Sequence, residues 1–149
     1  MAEKSHGMTF SWSTNNGTDD QVVGELVDIT VPSISKETIE TTNHGSSGIR
    51  NYMGGLIDYG ECSITVNYDV DDDVSSSTTN HEGLRDLAAT AFETAGTGDD
   101  TKVFIITFPD TSSTMTFGGI VTGFELSTPI DDVVKATYTI KVSGSVTYA

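Results

Sequence analysis

The sequence contains few of the residues from which catalytic and metal sites are usually built. Its 149 residues include one cysteine, three histidines and one tryptophan. With a single thiol the chain cannot form an internal disulfide, and the position of Cys62 on an apolar strand face predicts a buried, unreactive thiol. The three histidines, His6, His44 and His81, do not stand at a spacing typical of a metal site or of a base beside a nucleophile. These residues therefore predict no metal site and no cofactor site.

Basic residues are also scarce, which limits the ligands that the chain can hold. Seven lysine and arginine residues stand against 22 acidic residues, giving a formal net charge of −15 and a pI near 4.1. Because DNA binding uses cations to neutralise phosphates, this balance argues against a protein that grips nucleic acid or an anionic membrane. It is compatible with a surface from which DNA is kept away.

Long apolar runs are missing as well. No segment approaches the roughly 20 apolar residues of a transmembrane helix, and residues 1–20 contain no apolar signal core. We therefore expect a soluble protein that is made in the cytoplasm and does not contact a membrane. The length suits one domain over residues 1–149, with residues 1–20 as a flexible N-terminal segment.

Two short patterns imitate functional motifs, and each fails at a required position. Residues 45–48, GSSG, are one residue short of a nucleophile elbow and have no helix behind them. Residues 69–74 match the first three calcium positions of an EF-hand loop, but Val74 stands where the loop requires glycine. The acidic residues are scattered through polar surroundings that would not separate their pKa values. The sequence thus predicts neither an enzyme nor a calcium site.

Alternating polar and apolar residues predict that most of the chain forms strands. The pattern is clearest over residues 60–69 and recurs over 26–31 and 133–148. A mostly apolar strand is predicted over 102–109, and a strand over 113–127 is expected to form a long terminal hairpin with 133–148. A single helix is predicted over about 80–95, where a capping box precedes apolar residues at helical spacing. This order predicts a mainly β protein, an antiparallel β-sandwich or barrel with one flanking α-helix.

The segment between the predicted strands at 36–42 and 60–69 is unusual. Residues 43–59 form a long predicted loop, and such loops are uncommon in compact domains unless they are functional or disordered. Large apolar side chains that would form a sticky patch in water argue against disorder. They are Ile49, Tyr52, Met53, Leu56, Ile57 and Tyr59. We therefore predict that these six residues contact another subunit.

Four parts of the chain together resemble the major tail tube proteins of long-tailed, non-contractile bacteriophages, the lambda-like siphophage family. They are DITVPSISKETIETTNH, the loop ending in YMGGLIDYGECSITVNYD, the predicted helix, and the closing GGIVTGFELSTPIDDVVKATYTIKVSGSVTY. The resemblance covers about residues 24–149 and lies in the order of these parts. It implies a β-sandwich with a flanking helix and a structural protein whose hexameric rings stack into a tail tube.

The resemblance also implies roles for particular residues. The loop at 43–59 resembles the arm that reaches a neighbouring ring or subunit, which agrees with its exposed apolar residues. The start of the family's central strand is matched by Leu56, Asp58, Gly60 and Glu61. Its last hairpin turn is matched by Pro129, Asp131 and Asp132. The acidic residues expected to face the lumen are Asp28, Glu37, Glu40 and Glu61.

The partners implied by the resemblance are proteins. They are other copies of the chain, a tape-measure protein, a tail terminator and distal tail or baseplate proteins. Six subunits at −15 would place about −90 formal charges on each ring, so phage DNA would pass through without specific binding. The implied location is the virion tail, assembled in the host bacterial cytoplasm.

Other interpretations stay open at this point. One is the inner tube of a contractile tail or of a type VI-like secretion system. Another is a secreted carbohydrate-binding β-sandwich that stacks sugars on Trp12, Tyr52 and Tyr59, although it would need a signal peptide. A third is a small hydrolase that uses a serine of residues 45–48 with His44, for which the sequence offers no orienting acid.

Overall fold

The computed structural model of the chain describes residues 6–13, 20–68, 85, 102–109 and 113–149. Nine strands lie within these residues, and every pairing among them is antiparallel. They are β1 (Thr9–Ser13), β2 (Asp20–Val23), β3 (Leu26–Thr30), β4 (Ser35–Glu40), β5 (Tyr52–Asp58), β6 (Glu61–Asn67), β7 (Lys102–Thr107), β8 (Thr114–Ser127) and β9 (Lys135–Tyr148).

Seven of the strands form one sheet in the order β2-β1-β7-β8-β9-β6-β3, and β4 and β5 form a separate two-stranded sheet. The two edge strands of the large sheet, β2 and β3, are consecutive in the chain and are joined only by Gly24 and Glu25. Because this link spans about 10 Å at most, the sheet curls until its edges approach each other. It does not close into a barrel, since β2 and β3 do not pair.

One face of the curled sheet forms the core. In β6 the alternation buries Cys62, Ile64 and Val66, while the residues between them are exposed or half-buried. Across β1, β7 and β8 the rings of Phe10, Phe104 and Phe117 stack with centroids 5.8 and 5.7 Å apart. Such pairs add to the stabilisation that burial of apolar area gives. The sheet is therefore stable through this one apolar face.

Strands β8 and β9 are the longest, with 14 residues each, and they connect the two halves of the sheet. One half of β9 pairs with β6, whose ends meet it as Glu61↔Lys141 and Asn67↔Lys135. One half of β8 pairs with β7, from Lys102↔Gly119 to Thr107↔Thr114. The turn between β8 and β9, residues 128–134, thus lies at the Asn67 end of β6.

The mainly β, antiparallel prediction is confirmed, and the predicted strands lie close to β3, β6, β7, β8 and β9. The prediction of a loop over the whole of 43–59 was wrong, because residues 52–58 form β5 and pair with β4. Phe10 and Trp12 are buried in the core, so flexibility of residues 1–20 does not hold for β1.

The predicted helix at 80–95 lies outside the described residues except for Arg85, which is helical and donates a hydrogen bond to Tyr68 Oη at 3.2 Å. The EF-hand-like run at 69–74 and His81 also lie outside them. In the part of the chain that is described, no helix is long and apolar enough to cross a membrane.

Candidate interaction surface

The pair β4–β5, here called the detached hairpin, has no buried face. All six residues of β4 are exposed, and in β5 all are exposed except Gly55, which is half-buried. A two-stranded hairpin with no further packing is at best marginally stable in water. The detached hairpin therefore carries apolar surface that an isolated subunit leaves in solvent.

The strand register sorts the exposed side chains onto two faces. Met53 lies opposite Ile39, Tyr52 opposite Glu40, and Ile57 opposite Lys36. A register shift between Lys36 and Thr38 places Gly55 and Leu56 together against one residue of β4, which is a β-bulge. Side chains alternate along each strand, so the faces separate. We call Ile39, Met53 and Leu56 the Ile39 face, and Lys36, Tyr52 and Ile57 the Tyr52 face.

The loop between the two strands is held by its own hydrogen bonds. Thr41 N donates to Asn51 O at 2.8 Å, and Asn51 N donates to Thr42 Oγ1 at 2.9 Å. Asn43 Oδ1 accepts a bond from Gly45 N at 2.8 Å, which is a typical Asx turn. Ile49, in the same loop, is exposed. The loop thus presents Ile49 beyond the end of the hairpin.

The base of the detached hairpin is fixed to the large sheet by Asp58. Its Oδ1 accepts hydrogen bonds from Gly60 N at 2.9 Å and from Lys141 Nζ at 3.3 Å. The backbone hydrogen bond from Gly60 is the larger cause, and the hydrogen bond and positive charge of Lys141 the smaller one, that lower the pKa of the Asp58 carboxyl below its usual 3.8. Gly60 has a φ of 65°, which glycine adopts without strain. Val142 N also donates a 3.2 Å hydrogen bond to Gly60 O. We call residues 58–60, with their bonds to Lys141 and Val142, the joint.

A second exposed apolar site is the turn between β8 and β9, residues 128–134, here called the Ile130 turn. Ile130 is 100% exposed. The turn is shaped by Asp132, whose carboxylate accepts bonds from Lys135 Nζ at 2.9 Å and from Val133 N at 2.8 Å. The same two bonds lower the pKa of Asp132. Asp131, next to Ile130, has no hydrogen-bond or ion-pair partner among the described residues.

The structure separates the predicted contact residues into two groups. Ile49, Tyr52, Met53, Leu56 and Ile57 are exposed, and Leu56 reaches 80%. Tyr59 is half-buried and packs against the core, because it lies in the joint rather than in the hairpin. Sequence reasoning missed the Ile130 turn as a contact surface. The sequence feature that could have indicated it is an isoleucine between Pro129 and Asp131, at a turn position that is ordinarily polar.

The four acidic residues expected to face a lumen do not lie together. Asp28 lies opposite Thr65 and Glu61 opposite Lys141, so both are on the polar face of the large sheet. Glu37 and Glu40 are instead on opposite faces of the detached hairpin. The polar face also carries hydroxyl groups, and Thr65 and Thr137 hydrogen bond at 3.4 Å. This face is polar with charges of both signs.

Several chemical interpretations lose support in this structure. Trp12 is 7% exposed, so it offers no platform for a sugar. Ser46 Oγ accepts bonds from Asn43 N at 3.1 Å and Asn51 Nδ2 at 3.4 Å, which is the bonding of a turn residue. Burial raises the pKa of the Cys62 thiol to about 12, and its predicted burial is confirmed. Among the described residues no cluster of His, Cys, Asp or Glu could hold a metal ion.

Comparison with known proteins identifies one family over the full length. A family model described as "Phage tail tube, TTP, lambda-like" matches residues 1–149. Among curated protein sequences, none matches the chain.

Solved structures share the fold at low sequence identity. The tail of an empty gene transfer agent particle, refined with C6 symmetry, has 12% identity and a TM-score of 0.70, with 99% of each chain covered. The sheath/tube terminator of a contractile injection system has 12% identity and a TM-score of 0.72, covering 100% of this chain and 97% of that one. The SPP1 tail tube has 9% identity and a TM-score of 0.66, covering 99% and 78%.

Proposed function

The chain belongs to the lambda-like phage tail tube family, and from this premise we propose that it forms hexameric rings that stack into a tube through which DNA passes. The protein is a structural component of a phage or phage-like tail. The proposal adds the ring, the stacking contacts and the passage of DNA. The chemistry of such a protein lies in its contacts with other subunits, so we assign it no catalytic activity.

The detached hairpin is the single observation that carries the proposal. It exposes apolar side chains on both faces and has no core of its own. Burial of apolar surface is the main driving force of association between proteins. An element with two exposed faces is suited to lie between two neighbours. We therefore propose that Ile49, Tyr52, Met53, Leu56 and Ile57 contact adjacent subunits, and that Tyr59 supports them from the joint.

Net charge supports the same assignment. Each subunit carries −15, so copies repel one another, and association needs contacts whose own charge is small. Residues 33–60 carry Lys36 and Arg50 against Glu37, Glu40 and Asp58, a net charge of only −1. The detached hairpin is thus the part of the chain where apolar contact meets little repulsion.

We propose that the polar face of the large sheet lines the tube, with Asp28 and Glu61 directed at the lumen. A polar wall of low affinity would let DNA slide, because its phosphates meet carboxylates and hydroxyls on that wall. Lys135 and Lys141 also lie on this face, but they are already paired with Asp132 and Asp58. Glu37 and Glu40 belong to the detached hairpin, so in this proposal any lumen exposure of theirs depends on how the hairpin is placed in the ring.

The proposed partners follow from the same assembly. Solved relatives include a tube-terminating cap and a sheath-tube complex, and we infer that this chain also meets a terminator, a tape-measure protein and baseplate proteins. We place assembly in the host bacterial cytoplasm and the product in the virion tail. The lambda-like family favours a non-contractile tail, while the shared fold also extends to the inner tubes of contractile systems.

Electron microscopy of the purified protein across a concentration series tests the proposal. We expect rings or hollow tubes with six-fold end views. The matched variant replaces residues 35–58 with Gly-Gly, which fits because Ser35 and Asp58 are directly paired and their Cα atoms lie about 5 Å apart. This variant should keep the melting temperature of the parent, lose only the circular dichroism contributed by the two deleted strands, and form no tubes. Tubes of normal length from the variant would contradict the proposal.

A further inference from the structure

The Ile130 turn and the detached hairpin lie at opposite ends of the large sheet. The hairpin leads into β6 through Gly60 and joins the Glu61 end, whereas the turn precedes Lys135, which pairs with Asn67 at the other end. At about 3.3 Å per residue these ends of β6 are about 20 Å apart. Since the detached hairpin does not pair or pack along the large sheet, contact between these two sites requires two subunits.

The two sites carry complementary chemistry. On the turn, fully exposed Ile130 stands beside Asp131, which has no cation partner among the described residues. On the Tyr52 face, Ile57 lies directly opposite Lys36, and Lys36 has no carboxylate partner in the described part of the chain. Each site is thus an isoleucine beside one free charge, and the charges are opposite. Because the chain has only seven basic residues, few sites can offer Asp131 an unpaired cation on an exposed apolar face, and Lys36 is at one of them.

The Ile39 face does not offer the same complement. Its apolar residues lie beside Glu37, which has no cation partner among the described residues and would repel Asp131. The Tyr52 face also carries a carboxylate, Glu40, but it lies 3.9 Å from Arg50 and about 13 Å along β4 from Lys36. On the Tyr52 face the Lys36 side chain lies across Gly54, where a Cβ would collide with its Cε and Nζ, so the glycine leaves room for the lysine in this position. Charge therefore selects the Tyr52 face for the turn.

We propose that the Ile130 turn of one subunit docks on the Tyr52 face of the next subunit along the tube, with Ile130 against Ile57 and with Asp131 paired to Lys36. The inference rests on the proposed tube and names the surface that receives the detached hairpin. A contact between two different sites of identical chains is heterologous, and when it joins successive rings it repeats along the tube axis instead of closing. It therefore sets the direction in which the tube extends.

Cysteine cross-linking in assembled tubes tests the contact. The double variant Ile57→Cys/Ile130→Cys should give a ladder of covalent oligomers under mild oxidation. It cannot close a disulfide within one chain, because a disulfide needs Cα atoms about 4.4–6.8 Å apart. Cys62 is buried with a pKa of about 12, so it stays silent in the parent. The matched control Leu56→Cys/Ile130→Cys places the thiol on the Ile39 face and should give no ladder.

A charge exchange tests the same contact without new thiols. Lys36→Glu and Asp131→Lys should each raise the protein concentration needed for tubes by about fivefold, the size expected for one exposed ion pair turned repulsive. The double variant Lys36→Glu/Asp131→Lys should return close to the parent. A control that combines Lys36→Glu with Glu125→Lys keeps the same net charge and should stay impaired.

The outcomes separate this inference from the function on which it rests. Parent tubes with no Ile57–Ile130 ladder and no rescue by the charge exchange would overturn the docking and leave the tube intact. A ladder from the Leu56 control alone would assign the turn to the other face and overturn it as well. If the parent forms no rings or tubes at any concentration, the proposed function fails and the inference falls with it.

Discussion

The chain contains two antiparallel hairpins that differ in how much of their surface is packed against the rest of the subunit. The β8–β9 hairpin has 14 residues in each strand, pairs with β7 and β6 on its outer sides and buries one face, with Tyr138 at 0% exposed. The detached hairpin has the same connectivity but neither an outer partner nor a buried face. One hairpin is thus stabilised within the subunit, whereas the other is left without packing contacts in a single subunit.

The largest expected effect separates two tyrosines, one in each hairpin. Tyr138 is fully buried and its ring lies 5.2 Å from that of Phe124. Tyr138→Ala should lower the free energy of unfolding by about 3–5 kcal/mol, the range for removal of a large buried aromatic side chain. Tyr52 is 55% exposed, so Tyr52→Ala should change it by about 0.5 kcal/mol or less and impair tube formation. Urea unfolding and electron microscopy measure the two effects; equal loss of stability would remove the distinction.

A glycine pair in β8 tests how tightly the β8–β9 hairpin packs. A Cβ on Gly119 would stand 2.7 Å from Ile140 Cγ2 and 3.0 Å from Lys141 O, whereas one on Gly123 would meet Thr139 Cβ at 3.6 Å. Gly119→Ala should therefore lower the free energy of unfolding by about 1–3 kcal/mol through overpacking. Gly123→Ala, the matched control, should be close to neutral in the same urea titration. A neutral Gly119→Ala would mean that the strands at this point are less closely packed.

The smallest expected effect is on the local stability of the detached hairpin, and it compares two aspartates, one in each hairpin, that accept the same kinds of hydrogen bond. Asp58 and Asp132 each accept one backbone N–H and one lysine Nζ, and the pKa of each is lowered from 3.8. Lowered pKa values mean that these bonds are complete above pH 3.8 and are lost as the pH falls through the lowered values. At neutral pH, Asp58→Asn should loosen only the joint of the detached hairpin and impair tube growth.

Asp132→Asn is the control for that prediction, since it removes the same charge from the Ile130 turn. Carboxyl NMR titration should place both midpoints below 3.8, and amide hydrogen exchange at neutral pH should rise in β5 only for Asp58→Asn. Faster exchange in β5 with Asp132→Asn would show that net charge, rather than the joint, controls the hairpin.

Sequence reasoning succeeded where one local pattern decides the structure. The alternation of Cys62, Ile64 and Val66 placed β6 and its buried face correctly, because a strand with one apolar face has only one favourable orientation. It failed for β5, where Gly54 and Gly55 interrupt the alternation and lower the strand propensity of the segment. Pairing with β4 overrides that local weakness, and a pairing between strands is not a property of either strand alone.

The candidate site divides in the same way. Exposed apolar residues in the 43–59 segment were predictable because their hydrophobicity is local, and five of the six are exposed. The bond between Lys141 and Asp58 joins residues 83 positions apart, so no local pattern contains it. The placement of the Ile130 turn opposite the detached hairpin likewise follows from the pairing of β6 with β9.

A hairpin that lacks its own core has a consequence for the timing of growth. A two-stranded hairpin without further packing is marginally stable, so the proposed docking predicts that only a fraction of free subunits is ready to bind at any moment. Two free subunits would then both have to be ordered when they meet, and spontaneous initiation becomes rare. A tube end already presents one ordered surface, so each addition orders only the incoming hairpin. The proposed docking therefore predicts that elongation is faster than initiation, so that a small number of starting points produces long tubes instead of many short ones.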